Sequence, residues 1–352
     1  MNEVNNININ ISLATQAVAQ KGFGMALIIG TTSNTSSTTY NEATEPDELL
    51  DSSIGYASVD GEYKQAVKLY SQDIKPTKFA VLKLSAQSAL ATELAALRNN
   101  GMDDWYWGLN ISRAKADLNR TGDVFESLDK FFLGGTSDLT ALTARTGNRE
   151  AYMISKNPSD FPEAAWLARC GLLPIGSVSW DSKILAGQQS SGLTTTERTT
   201  VENESGAGDK GNYIALQGGN LITWEGKTTG GQYIDIINGR DYLKARLTEA
   251  WFFLKQNNNK LPMDFSGLRM LEAALRAVFK EAGQMGIIAT AKTPAAQLKS
   301  DLGEYQYKLN VPNDIDLLAA NDRAKRTVKP ITFTATIQGS INKVEITGVM
   351  GV

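Results

Sequence analysis

Histidine is absent from this 352-residue chain. No Ser-His-Asp triad, Cys-His dyad or histidine-ligated metal can therefore form, and acid–base work near neutral pH would fall to Asp, Glu, Lys or Tyr. Cysteine occurs once, as Cys170, which excludes an intrachain disulfide and a thiolate metal cluster. Its setting, Ala168-Arg169-Cys170-Gly171-Leu172-Leu173, predicts a buried, inert thiol, and one reduced cysteine suits folding in the cytosol. A basic excess is missing too: 35 Lys and Arg against 38 Asp and Glu leave a net charge of −3, which argues against direct nucleic-acid binding. No stretch approaches the roughly 18 uninterrupted apolar residues of a membrane span. The start, Met1-Asn2-Glu3-Val4-Asn5-Asn6, lacks the basic and apolar regions of a signal peptide. The expectation is a soluble product of the cytosol without membrane insertion.

What the chain does have is ordinary globular composition, 42% hydrophobic and 21% charged, in a length that fits two domains or one with insertions. Its first pattern is strict alternation: Ile7, Ile9, Ile11 and Leu13 fall on one face of a strand, Asn8, Asn10 and Ser12 on the other. The polar connector Ala14 to Lys21 has no turn dipeptide to fold that strand back, so it is free to pair in its own domain or on a neighbour's sheet edge.

From Gly22 the rhythm becomes strand–helix–strand. Strands are predicted over Met25–Gly30, Lys78–Leu84, Asp104–Leu109 and Ala151–Ser155. Helices are predicted over Glu62–Tyr70, Ala86–Arg98, Val124–Phe132 and Pro162–Arg169, with a Ser/Thr-rich loop from Thr31 to Tyr40. This argues for a mainly parallel, helix-covered sheet over roughly residues 22–180. Gln188 to Gly211 reads as an exposed excursion. A hairpin follows, Asn212–Leu216 and Leu221–Glu225 about Gly218-Gly219, then a strand at Gln232–Ile237. Leu243, Leu247, Ala250, Trp251 and Leu254 form the core-facing stripe of a helix from Arg240 to Gln256. Leu268, Leu271, Leu275, Val278, Phe279 and Ala282 form that of a second, Ser266 to Gln284. The chain closes with a strand at Tyr305–Asn310, a helix at Asn313–Lys325, and two strands, Ile331–Gln338 and Lys343–Thr347, about a turn at Gly339-Ser340.

A search for chemistry assembles nothing. No phosphate-binding loop is present, and Gly22-Phe23-Gly24 precedes its strand when a dinucleotide turn must follow one. Gly134-Gly135-Thr136-Ser137 reads as a plain turn, Asp314 and Asp316 as charge compensation at a helix start, and the tryptophans as core. No catalytic, cofactor or metal site is expected. An α/β enzyme using carboxylates alone stays open as an alternative. Two alternating strands at the chain ends are an aggregation hazard unless they have partners, and identical partners joined head to tail build rings or helices. A self-assembling structural protein is the reading this favours.

One further set of residues carries a resemblance. Gly226-Lys227-Thr228-Thr229-Gly230-Gly231-Gln232-Tyr233-Ile234-Asp235, then Asp241-Tyr242-Leu243 and Asn259-Lys260-Leu261-Pro262, resemble segments of contractile tail sheath proteins of myovirus-type bacteriophages. Tyr63-Lys64-Gln65-Ala66, Tyr70-Ser71-Gln72 with Pro76, and the closing strand–Gly-Ser-Ile–strand pattern are similar to that family as well. Tyr242 stands where the family commonly has Trp.

The resemblance implies an α/β (α+β) fold, a helix-covered mixed sheet with extended N- and C-terminal strand arms that pair with neighbouring subunits. It implies a sheath subunit in stacked six-fold rings around an inner tube, contracting without nucleotide or cofactor to drive the tube into a host envelope. Carried over, Ile7, Ile9, Ile11 and Leu13 form a donated N-terminal strand and Val344, Ile346 and Val349 a C-terminal one. Arg323, Lys325 and Arg326 are the expected tube-facing residues, with a solvated helix end as the equal alternative. The expected organisation is an arm over 1–21, an α/β domain over 22–185, an excursion with hairpin over 186–240, a helical core over 241–326 and a C-terminal hairpin or arm over 327–352. Partners would be further copies of the chain, a tail tube protein, and baseplate and tail-terminator proteins, in a phage tail made in the bacterial cytoplasm. A tube or baseplate-associated protein is the runner-up.

Overall fold

A computed structural model describes residues 22–31, 38–203, 210–291 and 304–342. Its first strand, β1 (Ala26–Gly30), is buried along its whole length. Yet its apolar run still alternates, as a strand covered on both faces must. Ala26 and Ile28 join one hydrophobic cluster, Leu27 and Ile29 the other. Next come β2 (Thr39–Ala43), α1 (Gly61–Leu69), β3 (Phe79–Lys83), α2 (Leu90–Asn99), β4 (Trp107–Asn110), α3 (Lys115–Ser127), β5 (Phe131–Thr136), β6 (Glu150–Ile154) and α4 (Pro162–Trp166), which runs on as a π-helical turn, Leu167–Gly171. The six strands form one sheet in the order β2-β3-β1-β4-β5-β6. All neighbours are parallel except β2, which lies antiparallel on β3.

After α5 (Thr195–Glu202), the hairpin β7 (Tyr213–Gln217) and β8 (Asn220–Trp224) turns at Gly218-Gly219, both at positive φ. A parallel bridge, Met153 to Asn212, seats the hairpin beside the β6 edge. The long helices α6 (Ile234–Gln256) and α7 (Phe265–Gln284) follow, then the antiparallel pair β9 (Tyr307–Asn310) and β10 (Thr332–Ala335). One core cluster joins α1, α4, α6 and α7 to the sheet. The opposite face is covered by Leu90, Leu94 and Leu97 of α2 and Leu118 and Phe125 of α3.

Several expectations need correcting. The helix predicted over Val124–Phe132 sits earlier, with Leu118, Thr121, Gly122 and Phe125 as its buried side. It ends as Asp129 turns to φ 55°, and Phe131 and Phe132 begin β5, facing opposite clusters. Gly134-Gly135-Thr136 is therefore strand rather than turn. A Cβ on Gly135 would lie 2.2 Å from the buried carboxylate of Glu163, so glycine here provides room. Gln232–Ile237 is the entry to α6: Ile234 and Ile237 are both buried three residues apart, a helical spacing that a short apolar run conceals.

Thr31–Tyr40 is not wholly loop, because β2 starts at Thr39. The excursion is not wholly exposed. Thr194 and Glu197 close a capping box on α5, Val201 is fully buried, and Ser191 donates its N–H to Ile214 O while its Oγ accepts from Ile214 N–H and its carbonyl from Lys156 N–H. Asn313–Lys325 is not a helix but a 3₁₀ turn, Ile315–Leu317, and a single turn, Ala320–Ala324, because Leu318 alone is buried and no stripe holds a longer one. Trp251 is 39% exposed, since it lies about 80° round the helix from Leu243, at the margin of the stripe.

The sheet leaves no spare volume behind β4. A Cβ on Gly108 would stand 2.1 Å from the ring of the fully buried Phe125. Replacing Gly108 by alanine should lower unfolding stability by about 1–3 kcal/mol through overpacking. A urea titration checks this; an unchanged midpoint would show that α3 can move off the sheet freely.

Candidate assembly interface

The strand residues expected to leave the molecule, Ile7, Ile9, Ile11, Leu13, Val344, Ile346 and Val349, lie outside the described residues. The same holds for the predicted strand at Lys343–Thr347. What is described is the small sheet that precedes the last of them in the chain. β9 alternates, with Tyr307 and Leu309 buried and Lys308 and Asn310 exposed, while β10 is exposed at Thr332, Phe333 and Thr334. Residues 287–291 brace this pair: Ala289 N–H donates to Thr336 O at 2.9 Å, and Gln306 N–H donates to Ala289 O at 2.8 Å. The small sheet is glued to α7 by aromatic stacking of Phe279 on Tyr307, ring centroids 4.7 Å apart, with Phe333 at 5.0 Å on the same ring. Gly283 of α7 permits the contact, because a Cβ there would fall 2.4 Å from the Tyr305 ring. Among the described residues β10 pairs only with β9, and its continuation Thr336–Gln338 bonds to Ile287 and Ala289.

The three cationic residues predicted to face a tube sit just before this sheet, at the end of the Ala320–Ala324 turn. All three are exposed. Arg323 reaches Asp316 at 3.0 Å, and Arg326 takes a left-handed φ of 54° as the chain turns toward β10. Lys329 pairs with Asp322 at 3.0 Å. These are exposed pairs of small energetic weight, and the cations stay available to an outside partner.

The helical part is fixed to the sheet by a buried ion pair that the sequence did not announce. Arg149, at the threshold of β6, donates twice to Asp241 of α6, Nε to Oδ2 and Nη2 to Oδ1, both at 2.8 Å. Asp241 is 5% exposed, and it also accepts the phenol of Tyr106 at 3.0 Å. Glu126 and Asp129 approach the same guanidinium from the end of α3, and Lys244 of α6 returns to Asp129 at 2.6 Å. Although burial opposes the charge on Arg149, these carboxylates hold its pKa above the ordinary arginine value. Burial chiefly, with Asp241 assisting, pushes the Tyr106 phenol well above its normal range, so it serves as a donor.

Next to the clamp, Arg145 grips the fully buried Glu150 at 2.8 and 2.5 Å, and Thr229 donates to the same carboxylate at 2.6 Å. Thr228-Thr229 thus lie where the resemblance segment meets the sheet. Their spacing gave no hint of this use.

Nothing here assembles for catalysis. No group of three or more Cys, Asp or Glu side chains suited to a metal occurs among the described residues, and no helix among them is long and apolar enough to cross a membrane. Asp314 caps the 3₁₀ turn, accepting from Asp316 N–H at 3.0 Å, consistent with its reading as a helix-start charge. Trp105, Trp107, Trp166 and Trp180 are core, as expected. Cys170 is buried, and burial pushes its thiol up to about 12.

The arrangement, a doubly covered α/β sheet carrying a helical hairpin and a small two-stranded sheet, is that of contractile sheath subunits. The chain superimposes on a chain of the anti-feeding prophage helical sheath in the contracted state over 99% of both lengths, with TM-score 0.66 and 13% identity. It superimposes on the PVC sheath complex of an extracellular contractile injection system, also contracted, over 100% of this chain and 99% of the other, with TM-score 0.67 and 11% identity. A chain of the contracted anti-feeding prophage baseplate matches at TM-score 0.63 and 13% identity over 99% of each. Residues 234–350 match the family described as E217 tail sheath protein gp31-like, C-terminal domain. No curated protein sequence is similar to the chain. The resemblance to contractile tail sheath proteins is therefore borne out, in the fold of the whole chain and in the sequence of its C-terminal third.

Two measurements test this description. Arg149→Met should cost about 3–5 kcal/mol, because it strands a buried carboxylate, and pairing it with Asp241→Leu should recover a good part of that loss. A loss in the double variant equal to the sum of the two single losses, read from denaturant midpoints, would mean the pair is not coupled. A thiol-specific chromophore at pH 8 should leave native Cys170 unmodified, since a folded pKa of about 12 keeps it protonated, and react fully in denaturant.

Proposed function

We propose that this chain is the subunit of a contractile sheath, stacked as six-fold rings around an inner tube, whose shortening drives the tube through a host envelope. The observation that carries the reading is a match between two ends of one chain. Residues 7–13 alternate apolar and polar in the sequence, and among the described residues β10 has β9 alone as its neighbour strand, on the fold shared with contractile sheaths. Addition of Ile7, Ile9, Ile11 and Leu13 of one copy to the β9–β10 sheet of another would supply main-chain hydrogen bonds for attachment and alternate apolar side chains for register. Val344, Ile346 and Val349 act as the second donated strand, and Ala14 to Lys21 as the leash that lets lattice spacing change.

On this reading 1–21 is the N-terminal arm, 22–185 the α/β domain, 186–240 the excursion with its hairpin, 241–326 the helical core and 327–352 the C-terminal arm. Arg323, Lys325 and Arg326 face the tube protein. The baseplate and terminator proteins cap the array, and the assembled particle is a phage tail or tail-like injection device, its subunits made in the bacterial cytoplasm. The absence of a phosphate-binding loop from the sequence suits a stroke powered by packing. Each further 100 Å² of apolar surface buried between subunits on contraction contributes about 2.5 kcal/mol.

Deleting residues 1–13 should leave a folded monomer with an unchanged circular dichroism spectrum that forms no tubes in negative-stain micrographs. Ordered tubes from the truncated protein would end the donated-strand reading.

A further inference from the structure

Two features that fit each other are exposed in one copy, and among the described residues neither has a partner. The first is the tip of the α6–α7 hairpin. α6 buries its first half, from Ile234 to Leu243, and then presents Trp251, Phe252 and Phe253 at 39%, 45% and 44% exposure. At about 100° per residue these rings cover both flanks and the outer side of the helix end. Phe265, the first residue of α7, adds a fourth ring at 63%. No Asp or Glu occurs from residue 250 to 263, whereas Lys255 and Lys260 are exposed there.

The second is a groove of about 600 Å³ between the end of β2 and α1, walled by Pro46, Tyr63, Val67, Tyr70 and Pro76 and rimmed by Glu45 and Asp47. Its rings are already fixed. Tyr63 donates to Asp47 at 2.9 Å, and Tyr70 donates to the carbonyls of Thr44 and Pro76 at 2.5 and 3.1 Å. Lys75 is the one basic residue lining it, and no Lys or Arg occurs from residue 22 to 63, a stretch that holds Glu42, Glu45, Asp47 and Glu48. The polarity extends to the halves of the chain: residues 1–240 carry 20 basic against 27 acidic side chains, residues 241–352 carry 15 against 11.

We propose that the aromatic, lysine-bearing tip of one copy seats in the acidic tyrosine groove of a second copy. The inference rests on the sheath-subunit reading and names a contact surface for it. Exposed aromatic clusters of this size mark interaction sites, and prefixed rings lower the ordering cost of accepting them. Opposite charge around the two patches selects the partner and fixes its orientation, while the like-charged pairings, tip on tip and groove on groove, are disfavoured. Because tip and groove belong to different parts of one chain, the contact is head-to-tail and propagates instead of closing into a dimer.

The test uses the full chain and follows assembly by sedimentation and negative stain across protein concentration. Lys255→Glu with Lys260→Glu should raise the concentration needed for assembly about tenfold, as should Glu45→Lys with Asp47→Lys, and combining the four changes should restore it. Phe252→Ser with Phe253→Ser should weaken assembly without lowering the melting temperature, since both rings are exposed. Variants that assemble like the wild type, or four changes that fail to rescue, overturn the contact and leave the sheath reading intact. Tip variants that assemble normally but no longer hold a co-expressed tube protein overturn it as well and assign the tip to the tube. A wild-type chain that never polymerises removes both.

Discussion

The placement of the helical hairpin on the sheet turns on one buried charge pair, Arg149 with Asp241. Without it, α6 would rest on the sheet mainly through apolar contacts, which tolerate sliding and rotation. A bidentate guanidinium–carboxylate contact tolerates neither. It is buried, so its desolvation offsets much of its attraction, and its value lies in specifying one arrangement more than in raising stability. Tyr106 just before β4, Glu126 of α3, Asp129 just after that helix, and Lys244 of α6 complete the network, so several parts of the chain agree on a single position. Everything C-terminal to α6, including the small sheet stacked on Phe279, inherits its position from this joint.

The molecule treats its strand edges unequally. At one side of the large sheet, β2 is short, polar and antiparallel, with Glu42 exposed on it. At the other, Asn212 bonds along β6 and the hairpin shields it. Both are recognised ways of preventing edge-to-edge pairing. β10 has β9 alone as its neighbour strand among the described residues. The contrast between those guarded edges and β10, within one chain of a fold shared with contractile sheaths, is what makes strand exchange the physical basis of the proposed lattice.

Much of the fold was legible because burial imposes pattern. β1, β3 and β6 read as apolar runs, α6 and α7 as stripes, the β7–β8 turn as paired glycines. The errors share one cause, tertiary context overriding a local signal. Gly134-Gly135 suggested a turn, yet they serve to admit Tyr152 and Glu163 against β5. Gln232 to Ile237 suggested a strand until Ile234 and Ile237 found the same core. The supposed helix from Asn313 had the composition of one but no buried stripe. Of the proposed interface, the alternation at Ile7, Ile9, Ile11 and Leu13 was visible in the sequence. The Arg149–Asp241 joint and the tip–groove pair were not, because each joins residues tens to hundreds of positions apart and neither half has a motif.

The short acidic strand β2 has a consequence for how such a protein is handled in bulk. A six-stranded sheet with bare flanks would template itself as soon as copies became concentrated, and disordered aggregates would compete with any designed polymer. In the proposed lattice, with both flanks of the large sheet blunted, a pool of finished subunits would stand ready and growth would wait for a seed that offers the right docking geometry. The timing of construction would then be set by where growth starts and not by how fast the chain is synthesised.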